Sequence, residues 1–358
     1  VKFSEIRKII LAGAFFITLL QLHAFRVSTP EDFFHSEITG QINTKLSFIK
    51  RDIISCAPTS DKSKPAPPFL DSLEEIFPND NREPAGHLKE GVLYINLEAR
   101  TGMWYPETRE GSGLRIHAFA EKGKPLQLPG PLIRVPEGTE IHATIHNLIV
   151  GLPLVLHGFY SRPENAKDSI VIPYRQTYEV QFKTGTAGTY FYKASAGSLS
   201  DDGQPYFDDG QLYGAFIIDP KNKKPDPQER IMMIGVWDDT LNRGTTGNEE
   251  FVIKGLTWPY TERLTYRVGQ EVHWLVINAS GHVHPMHLHG FYFTVNSKGN
   301  ANKDSIFEKP YRRKVVTELL KVGETMSMSW IGEREGNWLF HCHTLVDIMP
   351  GSFLRTIP

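Results

Sequence analysis

Only two cysteines occur in the 358 residues, Cys56 and Cys342. That excludes a disulfide framework and the paired Cys-x-x-Cys spacing of structural zinc sites. Cys56 falls in a linker-like stretch and Cys342 between two histidines in an apolar strand, so no disulfide is expected between them. An excess of charge is missing too: 39 Lys and Arg against 41 Asp and Glu give a formal net charge of −2. A nucleic-acid binder would carry a basic field or stripe, and none is present. The short run Tyr311, Arg312, Arg313, Lys314 reads as a solvated strand edge. At 22% charged and 40% apolar residues the composition is that of an ordinary globular protein, too long for a single β-domain core.

The long, nearly uncharged apolar stretch is confined to residues 9–25, behind Lys2, Arg7 and Lys8. A basic flank followed by an apolar core is the pattern of a secretory signal. Residues 1–27 are therefore expected to be a signal peptide or membrane anchor. The body is expected to be exported: periplasmic, secreted, or tethered to the outer face of the inner membrane. Residues 28–90, with the Pro-rich piece at 64–68, read as a linker or spacer carrying a short helix over 71–77.

Beyond residue 91 the pattern is β. Ile141, Ala143 and Ile145 alternate with polar neighbours, as do Tyr178, Val180 and Phe182, and Met326, Met328 and Trp330. Such period-two segments, broken every ten or so residues by Gly, Pro, Asn or Asp, predict a β-sandwich or barrel. Three segments then repeat in order. RVPEGTEIHATIHN (134–147) is echoed by RVGQEVHWLVIN (267–278), VLHGFY (155–160) by HLHGFY (287–292), and GTYFYKAS (188–195) by GNWLFHCH (336–343). Three matches in register predict two copies of one β-fold, over 91–220 and 228–358, joined by the polar, Pro-rich DPKNKKPDPQ at 219–228.

The second copy concentrates potential metal ligands: His284, His287 and His289 in HPMHLHGF, and His341, Cys342 and His343 in HCH. Residues two apart on a strand share a face. His287, His289, His341 and His343 can thus converge from two strands, while Cys342 looks to the other side, where His284 can meet it. Two metal sites would then be one Cys–His peptide step apart. Imidazoles suit copper, and a thiolate with histidine is how blue copper sites are built; zinc is the rival metal. His117, His142, His146, His273 and His282, each alone, read as surface or satisfied core residues. The acidic segment 201–214, with Asp201, Asp202, Asp208 and Asp209, reads as a solvated loop rather than a calcium site.

HPMHLHGF and NWLFHCH resemble the third and fourth copper motifs of the multicopper oxidases, the laccase-like family, and PGPLIRVPEGTEI and GTYFY resemble its first-domain strands. The resemblance covers residue 91 onward and implies two tandem cupredoxin-like Greek-key β-sandwiches. It implies a type 1 copper that takes electrons from a reductant, and an eight-histidine trinuclear cluster that reduces dioxygen to water. By that resemblance His287 is a type 2 ligand, and His289, His341 and His343 are type 3 ligands. His284 and Cys342 would serve type 1 copper, with Cys342 the first acceptor of electrons. The first copy departs from the pattern: where the family has H-x-H-G and H-x-H, it has Val155, His157, Lys193 and Ser195, so only His157 remains. Valine cannot ligate and an ammonium repels a cation. Five cluster ligands predict one or two coppers rather than four. The type 1 set departs too, with Asp347 in place of a histidine and Ser352 at the axial position; Met349 is a nearby substitute.

Two functions compete on this sequence. One is an exported, laccase-like copper oxidoreductase taking electrons from a small molecule or a metal ion, with dioxygen as acceptor. The other is a non-catalytic copper-binding or structural cupredoxin of the cell envelope. A two-domain nitrite reductase would need its cysteine in the first copy, where there is none. The resemblance also implies a homotrimer, in which His157 of one subunit meets the four-histidine set of the next.

Overall fold

The computed structural model describes residues 73–163, 168–197, 211–238 and 249–344. Alternation of apolar and polar side chains produces two sandwiches in sequence. The first places a seven-stranded sheet, centred on Val92–Trp104 and Glu140–Asn147, against a five-stranded one that includes Leu154–His157, Gly188–Ala196 and Tyr213–Asp219. In the second, a seven-stranded sheet around Glu271–Asn278 and Glu324–Ile331 faces a three-stranded one made of Thr317–Leu320, His284–Leu288 and Phe340–Cys342.

Each sandwich closes over its own core. Ile95, Leu97, Ile141, Ala143 and Ile145 meet Leu156, Tyr192 and Phe216 in the first; Val276, Met286, Leu288, Met326, Met328 and Trp330 fill the second. In the alternating strand Thr177–Lys183, Val180 and Phe182 pack against the first core but Tyr178 is exposed, because that strand borders its sheet. A third cluster joins the copies. Ala118, Leu126, Phe191, Ala215 and Ile217 pack with Ile231, Met233, Leu275 and Ile277, so apolar burial of about 1.5–3 kcal/mol per large side chain links the two sandwiches. Arg134 closes the connection between them. Its guanidinium donates to both Asp219 oxygens at 2.8 Å and to Glu229 at 2.9 Å, holding the two ends of the 219–228 linker together.

The β-sandwich expectation holds, while the reading of residues 28–90 as spacer needs correction at its end. Glu75–Pro78 and His87–Lys89 are strands of the first sheet, the former running parallel to Val92–Trp104 and Leu126–Leu128. The helix expected over 71–77 is therefore replaced by strand at Glu75–Pro78, with Ile76 buried between copies. Residues 1–27, the Pro-rich piece, Cys56, the acidic stretch 201–210, Asp347, Met349 and Ser352 lie outside the described residues. The 311–314 run is exposed, on a short helix end and the edge strand Arg313–Val315.

One repeat position shows how the fold prepares the ligand strands. Asn147 and Asn278 are equivalent in the echo and are both fully buried. Asn147 donates to the carbonyls of Leu152 and Ile172, and Asn278 to those of His282 and Lys321. Each accepts a backbone N–H two residues on. A buried amide must be satisfied, and here satisfying it folds the turn that leads into Leu154–His157 or His284–Leu288.

Candidate metal centre

Strands His284–Leu288 and Phe340–Cys342 run antiparallel with His287 opposite His341 and Met286 opposite Cys342. That register puts His287, His289, His341 and His343 on one face. Ring centroids lie 4.9 Å apart for His287 and His289, 5.0 Å for His289 and His341, 5.1 Å for His287 and His343, and 5.6 Å for His287 and His341. His287 and His341 are half-buried, His289 and His343 exposed. The four-histidine convergence expected from H-x-H alternation is thus present, from the two strands expected.

Hydrogen bonds set which nitrogens face inward. His341 Nδ1 lies 2.6 Å from the Cys342 carbonyl, which only accepts, so Nδ1 carries the proton and Nε2 offers a lone pair. His287 Nδ1 is held at 2.8 Å by the Thr317 hydroxyl, the kind of outer contact that orients metal-binding imidazoles. The Nε2 atoms of His289 and His341 are 2.9 Å apart, close enough to share one ion with metal–nitrogen bonds of about 2.0 Å. Burial, reinforced by the neighbouring His289, His341 and His343, holds His287 below the ordinary imidazole range. Among the described residues, no three His, Cys, Asp or Glu side chains already surround a single point as metal ligands; His287 meets the other three rings edge to face, while His341 and His343 stack. In donor type and proximity the set fits copper.

On the opposite face Cys342 packs against the second core, beside its partner Met286. His284, two residues from Met286, shares that side and is 1% exposed. Its Nε2 lies 2.8 Å from the Ser280 hydroxyl, and Phe251 packs against its ring at 6.2 Å. Cys342 Sγ lies 3.4 Å from Thr344 Oγ1. The expected division of His284 and Cys342 from the four histidines is therefore observed.

In the first copy Lys193 stands opposite His157, and Ser195 opposite Val155. Val155 is buried and Lys193 exposed. His157 Nδ1 lies 3.2 Å from Asp168, whose other oxygen accepts the Gly158 N–H at 2.8 Å. Burial opposes ionisation of Asp168, but these bonds outweigh it and hold the carboxyl below its usual range. The sequence reading missed Asp168 and Thr317. Asp168 had a signal, because the string KDSI recurs at 167–170 and 303–306; Thr317 had none. The solitary histidines satisfy themselves locally, His142 with Glu140 and His146 with Thr177.

Two multicopper oxidase family models match the chain, one over residues 125–223 and the other over 225–355. Among curated proteins it is 25% identical over 286 residues to a probable nitrite reductase-hydroxylamine oxidoreductase fusion protein of Kuenenia stuttgartiensis, covering 74% of this chain and 31% of that protein. The chain thus spans about a third of the length of that relative. Among solved structures it resembles the blue copper oxidase from Nitrosomonas europaea, with TM-score 0.54 and 21% identity, over 70% of this chain and 79% of that one. It also resembles the copper nitrite reductase from Nitrosomonas europaea, with TM-score 0.54 and 18% identity, over 73% and 91%. At these identities the structures speak for the fold, while the family models span both copies and carry copper as the implied cofactor. The chain belongs to the multicopper oxidase family.

Proposed function

We propose that the protein is an exported copper-dependent oxidoreductase with an incomplete cluster. Its second copy holds one or two coppers through His287, His289, His341 and His343, and His157 is the fifth contributor. The observation that carries this reading is the single face on which the four imidazoles gather, with ring centroids at most 5.8 Å apart among the contacting pairs. Copper would supply a one-electron acceptor there. Cys342 is joined by one peptide step to His341 and to His343, so with copper bound it would offer a short covalent path toward that face for electrons from a small-molecule or metal-ion reductant, with dioxygen as the acceptor the family reading supplies. His157 makes its contact with Asp168, and among the described residues no hydrogen bond or ring contact joins it to the four histidines of its own chain. A homotrimer in which it meets the set of a neighbouring subunit fits that arrangement.

Copper loading of the full chain, with metal analysis and visible and electron paramagnetic resonance spectra, tests the reading. At most two tightly held coppers per chain, one of them on Cys342 and giving a thiolate-to-copper band that disappears in Cys342→Ser while the copper on the imidazoles stays, are the expected results. Three or four coppers would overturn the incomplete cluster. Absence of any thiolate band in the native protein would remove Cys342 from the electron path and favour a non-catalytic copper protein.

A further inference from the structure

The loop after His157 contains an arginine that the metal reading leaves without a role. Arg162 is 2% exposed. Among the described residues its guanidinium binds only carbonyls: Nη2 donates to Gly158 at 2.7 Å and more weakly to Phe191 at 3.4 Å, Nη1 to Tyr160 at 3.2 Å, and Nε to Ala301 of the second copy at 2.7 Å. The rings of Tyr160, Tyr190 and Phe216 lie 4.7–4.9 Å from its central carbon. Burial pulls its pKa down to about 10, which leaves it a cation at neutral pH. A buried cation with no carboxylate bonded to it among the described residues is expensive, so the arrangement calls for an explanation beyond packing.

What it holds is the peptide that follows the ligand. Gly158 has φ +96°, and an added Cβ would come within 2.8 Å of the Phe191 carbonyl, so the main chain turns sharply against its neighbour there. The Gly158 N–H is fixed by Asp168, which also takes His157 Nδ1, and the Gly158 carbonyl is fixed by Arg162. Both edges of one turn are pinned.

The second copy repeats the contact with a different residue. Gly290 follows His289, and its carbonyl accepts from Arg334 Nη2 at 2.9 Å. That guanidinium too lies over aromatic rings, Phe291 at 5.2 Å and Trp338 at 4.8 Å. Arg162 is 4 residues from its glycine and Arg334 is 44 from its own, so the two arginines are not counterparts in the sequence repeat. The same contact is reached twice, from different places in the chain.

We propose that Arg162 is a positioning residue for His157, and Arg334 its counterpart for His289. Each planar fork fixes the carbonyl of the glycine behind a ligand histidine, and through it the direction in which the imidazole points. This rests on the reading of His157 and His289 as ligands. Because Arg162 also grips Ala301, the second copy sets the geometry of the first copy's ligand. Lysine cannot substitute, since a single ammonium lacks the fork that spans four carbonyls.

The test uses the full chain with copper(II) alone as probe, in His157→Ala, His289→Ala, Arg162→Lys and Arg334→Gln. Arg134→Met, which loosens the linker through Asp219 and Glu229 rather than through either glycine, is the control. Retained copper and its paramagnetic resonance spectrum are measured after dialysis. In metal-free protein, imidazole 1H–15N spectra report the tautomers. Arg162→Lys should reproduce the copper spectrum of His157→Ala, weaken copper retention by about ten-fold or more, and turn His157 from one Nδ1–H tautomer into a mixture. Arg334→Gln, on the surface and not expected to impair folding, should mix the tautomers of His289, with a smaller loss of copper. Arg134→Met should lower Tm and leave both spectra alone. If His157→Ala and His289→Ala change bound copper while the folded arginine variants leave the imidazole spectra untouched, the positioning role is overturned; if Arg162→Lys fails to fold, Arg334→Gln decides alone. Unchanged copper in both histidine variants strikes the ligand reading instead, and the metal-free spectra still judge the arginines.

Discussion

The two copies place the same pair of strands in the same position and fill them with opposite chemistry. In the second, Leu288 is buried and the ligand face presents four imidazoles; in the first, Leu156 is buried and the same face presents Val155, His157, Lys193 and Ser195. The registers differ as well. Ser195 pairs with Val155, whereas its counterpart His343 is displaced by two residues, so that His287 pairs with His341. A shift of two residues keeps every side chain on its own face, so the core is indifferent to it. The ligands are not: the first copy would present a two-by-two block, the second a staggered row. Core packing preserves the scaffold, and nothing in that packing preserves the metal site.

The sharpest way to break this comparison is a pair of truncations at equivalent positions. His341→Ala should remove most bound copper, lowering affinity by more than about 100-fold, since loss of an outer contact alone typically costs 10–100-fold. Lys193→Ala should leave copper binding intact or slightly tighter, because it deletes only a repelling charge. Equilibrium dialysis of the two variants measures both effects. Equal losses would mean that Lys193 itself helps to hold metal.

A smaller effect is expected from rebuilding the missing ligands. The combined Val155→His, Lys193→His and Ser195→His variant should raise copper by about one ion per chain, with the added ion showing imidazole-only coordination by paramagnetic resonance. The gain is partial because buried Val155 must be replaced by a larger, polar ring, and because the two-by-two block differs from the staggered row. A full set of cluster coppers in this variant would show that register is irrelevant to assembly.

The scaffold and the four-histidine face were legible in the sequence for one reason: strand alternation is strict, so H-x-H and H-C-H dictate which side chains share a side. The repeat added which first-copy ligands are absent. The strand at Glu75–Pro78 was not legible, because it exists through parallel pairing with Val92–Trp104 and Leu126–Leu128 rather than through any pattern of its own. The register offset was equally hidden, since a two-residue slip leaves the polarity pattern unchanged. Arg162 and Arg334 escaped because a guanidinium on a carbonyl has no sequence signature; only the fold brings Arg334 to Gly290.

The smallest expected effect concerns the two KDSI segments. Asp168 sits by His157 and is held below the usual carboxylate range, whereas Asp304, at the boundary between the copies, is pushed above it by burial. Asp304 accepts the Thr189 N–H of the first copy at 2.9 Å and the Ser297 hydroxyl at 3.3 Å, while its other oxygen is buried with no hydrogen bond. A carboxyl raised in the folded state keeps its proton longer than in the unfolded chain, so stability falls as pH climbs from about 4 through the raised value and is level above it. Asp304→Asn preserves an acceptor for Thr189 without the buried charge. Its Tm should match the native protein near pH 4 and exceed it at neutral pH by about 1–4 °C. Thermal unfolding across that range measures the gap. A gap that does not change with pH would mean that Asp304 is ionised equally in both states, and that the two aspartates differ only in what they bind.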